Sequence, residues 1–230
     1  MTSTLDAPAV RDELTRLLDA ADAQEPELHA RLAARFPGSF PTSDEEAADL
    51  LTDAYIAVPR EVGELLAMLV RATGARTVVE FGTSFGISTI YLAAALRDNG
   101  GGRVITTEIE TAKADAALAS LRRSGLDDLV DVRVGDALAT LRDLPGTVDL
   151  LLLDGWSALY LPVLEIVEPA LRPGALVVAD DTSLFPDVLT SYLARVRDLG
   201  SGYRSVDIPL GDRLELSMRT GQVSAASTAR

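Results

Sequence analysis

Apolar positions recur at helical spacing through the first third of the chain, then switch to short unbroken runs separated by helical stretches. Val10, Leu14, Leu17 and Leu18, continued by Leu28, Leu32 and Phe36, predict two helices over residues 9–36, broken near Pro26. The polar residues 1–8 ahead of them are expected to be loose. Pro37-Gly38 and Pro41 mark a loop. Thr42-Ser43-Asp44 then caps a helix carrying Ala47, Leu50, Leu51 and Ala54, with Glu45 and Glu46 favourable in its first turn. Pro59 opens another helix as its first residue, through Glu61, Val62, Leu65, Leu66 and Leu69, ending near Gly74.

From there the pattern alternates. Thr77-Val78-Val79 reads as a buried parallel strand closed by Glu80. A turn with Gly82 and Gly86 leads into a helix from about Ser88, with Ile90, Tyr91, Ala94 and Ala95 on its inner face. Residues 103–107 form a second strand, closed by Glu108, and a helix over 113–124 stops at Gly125. Residues 130–134 are a third strand, followed by Gly135-Asp136-Ala137. Residues 148–153 (VDLLLL) are apolar almost throughout, so this strand is buried on both faces; it ends in Asp154-Gly155-Trp156. A helix carries Leu161, Val163, Leu164 and Val167. Arg172-Pro173-Gly174 turns into a fifth strand, 175–179, ending in Asp180-Asp181, and a helix runs from Pro186 to about Leu199. Residues 203–208 and 214–218 are strands joined by the short link 209–212, hence an antiparallel hairpin with its last strand inserted beside strand five. The reading is an α/β protein: a doubly wound, seven-stranded, mostly parallel sheet with an antiparallel last strand, plus N-terminal helices. It divides into a helical extension or lid, 1–57, a main domain, 58–219, and a tail, 220–230, expected to be disordered for want of an apolar pattern.

Composition narrows the chemistry. A formal charge of −14 argues against nucleic acid or an anionic membrane as a surface partner. Cysteine is absent, which removes disulfides, thiolate catalysis and Cys-zinc sites. The single histidine, His29, excludes His-rich metal sites and reads as a surface residue. Of 21 basic residues only Lys113 is a lysine. No apolar run has the length of a membrane span and the first residues lack a leader pattern, so a cytoplasmic location is expected.

The turn G-T-S-F-G has no third glycine for a dinucleotide fingerprint, which speaks against an NAD-dependent dehydrogenase, and the chain has no phosphate-loop motif. An acid directly before the glycines suits a ligand that carries a cation. S-adenosylmethionine (SAM), with its ammonium and sulfonium, is one. Acids close all five parallel strands: Glu80, Glu108, Asp136, Asp154 and Asp180-Asp181. Ligands bind outside the carboxyl ends of parallel strands, so these acids are expected on one rim. Glu80 would serve the amino acid end of the cofactor. Glu108, roughly 26 residues past Gly82, stands near the interval at which an acid reaches a ribose diol. Asp136 and Ala137 would edge the adenine. Trp156 offers a flat face to the adenine, a wall to the substrate, or plain core filling. Asp154, Asp180 and Asp181 would repel one another unless a hard divalent cation such as Mg²⁺ joined them; the alternative is that one or more caps a helix.

On these residues the chain resembles the metal-dependent, catechol and caffeoyl-CoA type O-methyltransferases of the class I SAM-dependent group, over about residues 42–219 and including the closing text IPLGDRLELSMR. The resemblance implies a Rossmann-like fold and methyl transfer to a small-molecule hydroxyl. It implies Val58, Glu80, Gly82, Ser84, Ser88, Glu108, Ile109, Asp136, Ala137, Asp154 and Trp156 for the cofactor. It implies Asp154, Asp180 and Asp181 for the metal, with Asp154 also catalytic. Two positions depart from the family. Asp181 stands where Asn is frequent. Ser157 stands where a lysine base is common, and Lys113 is expected to lie away from the acceptor. The rival readings are a silent SAM-binding sensor or partner subunit, and a metal-free N- or C-methyltransferase. The acceptor is left unnamed, and monomer and homodimer both stay open.

Overall fold

Apolar runs with no polar interruption make strands that must be covered on both faces. The computed structural model, which describes residues 3–39 and 41–221, has such a sheet. Its strands are β1 (Thr77–Phe81), β2 (Arg103–Glu108), β3 (Val130–Val134), β4 (Val148–Leu153), β5 (Leu171–Ala179), β6 (Tyr203–Ile208) and β7 (Leu214–Arg219). Seven strands lie in the order β3-β2-β1-β4-β5-β7-β6. β1 to β5 are parallel, while β7 runs antiparallel between β5 and β6, as the short hairpin link requires. The helices are α1 (Pro8–Arg35), α2 (Asp44–Leu51), α3 (Arg60–Thr73), α4 (Ile87–Asp98), α5 (Thr111–Ser124), α6 (Ala137–Thr140), α7 (Tyr160–Val167) and α8 (Thr190–Arg197). One core joins α1, α3, α4 and α5 to Val78, Val104, Leu150 and Leu152. A second, on the opposite face, joins α7 and α8 to Val79, Phe81, Leu151 and Leu153. The strand order reverses between β1 and β4, and a doubly wound sheet opens its ligand crevice at that switch point.

Several boundaries differ from the sequence expectation. α1 is one helix with Pro26 inside it, not two. Proline removes a helical hydrogen bond, but contacts on both sides of Pro26 hold the register. Gln24 accepts from the Tyr55 N–H at 2.7 Å, and Arg31 donates to Leu50 O and Asp53, both at 3.1 Å. The N-terminal segment is not loose from Ser3 onward. Asp98 accepts from Ser3 Oγ at 3.1 Å and from the Thr4 N–H at 3.0 Å, and Pro8 is already the first residue of α1. Ala54 lies beyond α2, and Pro59 caps α3 instead of opening it. Ser43 makes no side-chain cap; Glu46 reaches back to the Thr42 N–H at 2.9 Å in its place. β5 starts at Leu171 because Leu171 pairs with Val148, and an irregular register absorbs Arg172 to Gly174. The last helix is shorter than expected: residues 186–189 are turns, and Asp198 leaves it extended. From residue 222 the expected tail lies outside the described residues. No helix among the described residues is long and apolar enough to cross a membrane.

Candidate functional site

A cavity of about 260 Å³ opens at the switch point. β1 supplies Phe81, and the turn after it Gly82 and Ser84. Glu108 and Ile109 come from the end of β2, Asp136 and Ala137 from beyond β3, and Asp154, Gly155 and Trp156 from beyond β4. Asp181 comes from beyond β5. Leu32, Pro41, Ala47, Leu51 and Ile56 of the N-terminal segment close the opposite side. Eight of the expected cofactor residues therefore share one cavity. Val58 and Ser88 line an adjoining small cleft that also touches Ser84 and Asp154.

The glycine turn sets the floor. Gly82 has φ +102, a region that side chains disfavour, and a Cβ there would stand 2.3 Å from Asp154 O. Its N–H donates to Thr107 O at 3.2 Å, and Asp154 N–H donates to Phe81 O at 2.9 Å. The ends of β1, β2 and β4 are thus locked around a residue with no side chain. Ser84, at φ +46, donates its N–H to Glu108 Oε2 at 2.8 Å, while its buried hydroxyl has no hydrogen-bond partner. Glu108 Oε1 accepts from the Glu110 N–H at 2.9 Å. Two backbone amides therefore fix the Glu108 carboxylate on the cavity wall, and its remaining lone pairs can accept further donors. Asp136 caps α6 through the Leu138 N–H at 2.8 Å, which fixes the edge of the cavity beside Ala137.

Glu80 does not stand on the rim. β1 runs one residue further than the apolar run suggests, so alternation turns Phe81 toward the cavity and Glu80 into the α4 side. Glu80 is fully buried, accepts from Thr89 Oγ1 at 2.6 Å, and has no partner for Oε1. Burial pushes its carboxyl up to about 7, against the Thr106, Thr89 and Ser88 hydroxyls, which pull it down.

The three aspartates sit close enough to feel one another. Burial, then the charges of Asp180, Asp181 and Glu80, hold the Asp154 carboxyl well above the usual carboxylate range. Asp180 is 2% exposed; burial and the nearby Asp212 push it up to about 6, although the Asp181 N–H donates to it at 2.9 Å. Asp154 and Asp181 face the cavity, and Asp180 is turned onto the Asp181 backbone. Among the described residues no three His, Asp or Glu side chains stand in an arrangement that could hold one metal ion. Three carboxylates without a cation separate, so this arrangement is the one electrostatics favours. The donor chemistry itself, oxygen only, suits a hard divalent ion.

Two charged residues on the cavity wall carry no role in the sequence reading. Glu110 is one. Lys113 is the other: it lines the same cavity as Asp154 and Trp156, on the β2 side. It is the single cation there among the described residues. Ser157, at the position of the absent lysine, is 5% exposed and also lines the cavity. His29 is on the surface, 4.0 Å from Glu25.

Comparison with known proteins points the same way. A family of methyltransferase domains matches residues 79–182. A catechol O-methyltransferase of Mycobacterium tuberculosis is 37% identical over 136 residues, 59% of this chain and 61% of that protein. The chain therefore spans less than two thirds of that relative. A putative O-methyltransferase of Mycobacteroides abscessus is 32% identical over 172 residues, 69% of this chain and 79% of the relative. Among solved structures, the O-methyltransferase TomG of Streptomyces achromogenes, involved in tomaymycin synthesis and crystallised with SAM, superposes with TM-score 0.65 at 30% identity, over 76% of this chain and 87% of that one.

Proposed function

Because the chain belongs to the O-methyltransferases, we propose that it moves a methyl group from SAM to a hydroxyl of a small acceptor. The observation that carries this is the cavity at the β1–β4 switch point, whose floor is a glycine turn and whose wall is the doubly held Glu108. The orphaned Ser84 hydroxyl supports a ligand lying against the turn. In this reading Glu108 accepts from the ribose hydroxyls, and Ile109, Asp136, Ala137 and Trp156 border the adenine. Val58, Gly82, Ser84 and Ser88 take the amino acid end. SAM supplies the activated methyl. The chain supplies proximity and alignment, which account for much of such a reaction's acceleration.

Residues 58–219 form the methyltransferase domain and residues 1–57 its lid. The lid contributes the apolar side of the cavity through Leu32, Ala47, Leu51 and Ile56. The described wall carries Glu108, Glu110, Asp136, Asp154 and Asp181 against the lone Lys113. That balance repels polyanionic acceptors such as acyl-CoA thioesters and favours a small uncharged phenol. Asp154, Asp180 and Asp181 would hold a Mg²⁺ or similar ion; when bound it would make the acceptor hydroxyl more acidic. With serine at position 157, the acceptor's proton leaves to solvent or to a neighbouring carboxylate.

Titration calorimetry should show binding of SAM and of its product S-adenosylhomocysteine, and none of NAD. Glu108→Ala should weaken both by about 1.5–3 kcal/mol, the range for hydrogen bonds to a charged group. Transfer of labelled methyl to small phenols should exceed transfer to an acyl-CoA phenol. A wild-type chain that binds neither SAM nor its product overturns the assignment. The metal is tested separately. Turnover should vanish in EDTA and return with Mg²⁺ or Mn²⁺, and Asp180→Ala should remove activity while leaving cofactor binding nearly intact. Full turnover in EDTA together with an active Asp180→Ala enzyme removes the metal from the mechanism.

A further inference from the structure

α2 ends at Leu51, and the last carbonyls of a helix have no donor within it. Two cations meet that end from different elements. Arg31 of α1 donates to Leu50 O at 3.1 Å. Lys113 of α5 donates to Leu51 O at 2.9 Å and is 6% exposed. The Lys113 ammonium also lies 5.7 Å from the centroid of the Phe85 ring, and that ring stacks on Tyr55 at 3.9 Å between centroids. Phe85 belongs to the glycine turn; Tyr55 belongs to the segment that leaves the lid. One amine thus touches the end of the lid helix and the turn that floors the cavity, while it stands on the cavity wall with Glu108 and Glu110.

The arrangement is unusual for packing alone. A lysine is almost never this buried without a carboxylate partner. Among the described residues this one has a single oxygen partner, a neutral backbone carbonyl, although an ammonium has three N–H groups to place. Burial lowers its pKa, and the charges of Glu108, Glu110 and Asp53 raise it and so favour the ammonium.

We propose that Lys113 is a positioning residue that latches the C-terminal end of α2 over the cavity, joining the lid to the glycine turn so that the acceptor wall forms. The proposal rests on the methyl-transfer reading for its consequence in turnover, but not for the contact itself. Ala47, Leu51 and Ile56, which face the acceptor space, all lie on the latched segment. Lys113 touches no reacting atom; it acts through the backbone of Leu51.

Because Lys113 is the only lysine, an N-hydroxysuccinimide acetate ester can modify one side-chain amine, and peptide mapping separates it from the chain's α-amine. Lys113 should be acetylated about tenfold more slowly or less in the folded chain than in urea, the effect of one charge-assisted hydrogen bond. S-adenosylhomocysteine should slow it further. Lys113→Met keeps the apolar stem. It should speed amide exchange over residues 47–56 by about tenfold and leave the exchange of β1 and β4 unchanged. With a phenol that is turned over, the acceptor KM should rise by about tenfold while kcat stays near wild type. A lysine that only fills space would shift exchange throughout the domain and leave the acceptor KM alone.

Unchanged exchange over 47–56 in Lys113→Met overturns the latch, with or without cofactor. So does acetylation of the folded wild-type chain at the urea rate, which needs no variant to fold. Failure of the wild-type chain to bind S-adenosylhomocysteine would instead overturn the methyl-transfer reading and leave the exchange result to judge the latch.

Discussion

Gly82→Ala should lose thermal stability and cofactor binding in one step. The new Cβ would stand 2.3 Å from Asp154 O, 2.7 Å from Asp154 C and 2.9 Å from Gly155 N. All three are backbone atoms at the end of β4, so no rotamer change relieves the overlap. The chain past β4 would have to retreat by roughly 1 Å to reach van der Waals contact. That retreat breaks the Asp154 N–H bond to Phe81 O, 2.9 Å in the structure, and moves Asp154 and Trp156 with it. The backbone at φ +102 adds strain of its own for any L side chain. Together these should cost on the order of 4 kcal/mol, in the range reserved for backbone clashes and special dihedrals. Gly86→Ala is the comparison. It too has a positive φ, +90, but the nearest atoms its Cβ would meet belong to Ala117, the Cβ at 3.4 Å and the backbone at 3.5 Å and beyond, ordinary contacts. It should therefore show the dihedral cost without the clash. Thermal melts and S-adenosylhomocysteine titrations on both variants separate the two contributions. A Gly82→Ala protein that melts within a few degrees of wild type and binds normally would show that β1 and β4 do not meet as described.

The same pair of strands shows what the sequence can and cannot convey. β4 begins and ends where its apolar run places it, because such a run has no other stable home than a covered sheet, while the alternating VDVRV of β3 suits the half-covered edge strand it forms. The antiparallel β7 follows from a link too short for a crossover. Glu80 is different. An acid after an apolar run sits on the rim or inside according to strand parity, and an all-apolar strand does not display its parity. Pro26 misleads for a related reason: its local preference is overridden by Gln24 and Arg31, whose partners lie in α2 and the segment after it. Lys113 sits among alanines in TAKADAALAS, and its partner Leu51 is 62 positions away, so no local signal connects them. The aspartates were placed on the right strands by pattern alone. Their mutual orientation depends on charge repulsion, which the pattern does not encode.

Glu80→Gln should raise stability at alkaline pH and weaken cofactor binding. Glu80 is fully buried, and burial lifts its carboxyl from an ordinary 4.5 to about 7. Between those values the folded chain holds the proton and the unfolded chain does not, so stability falls as pH rises through that window. Below it both states are protonated; above about 7 neither is, and the full cost is present. The pKa difference corresponds to about 3 kcal/mol at pH 8. Glutamine cannot ionise, so the difference between variant and wild type should be near zero at pH 4 and grow toward that value at pH 8. The orphaned second oxygen of Glu80 becomes an amide group in need of an acceptor, which takes back part of the gain. Urea titrations at pH 4, 6 and 8 check both sign and window; because the Glu80 charge also raises Asp154, the difference between the two proteins reads Glu80 together with its effect on Asp154. A buried acid kept at such a cost directly behind a ligand-binding turn is what a cationic ligand would explain, since its charge stabilises the carboxylate in turn. SAM affinity at pH 8 should therefore drop by about tenfold in the variant. The drop should be smaller for S-adenosylhomocysteine, which lacks the sulfonium charge. Equal affinities for wild type and variant would leave Glu80 as a packing residue, and the cation would have to be met by Asp154 alone.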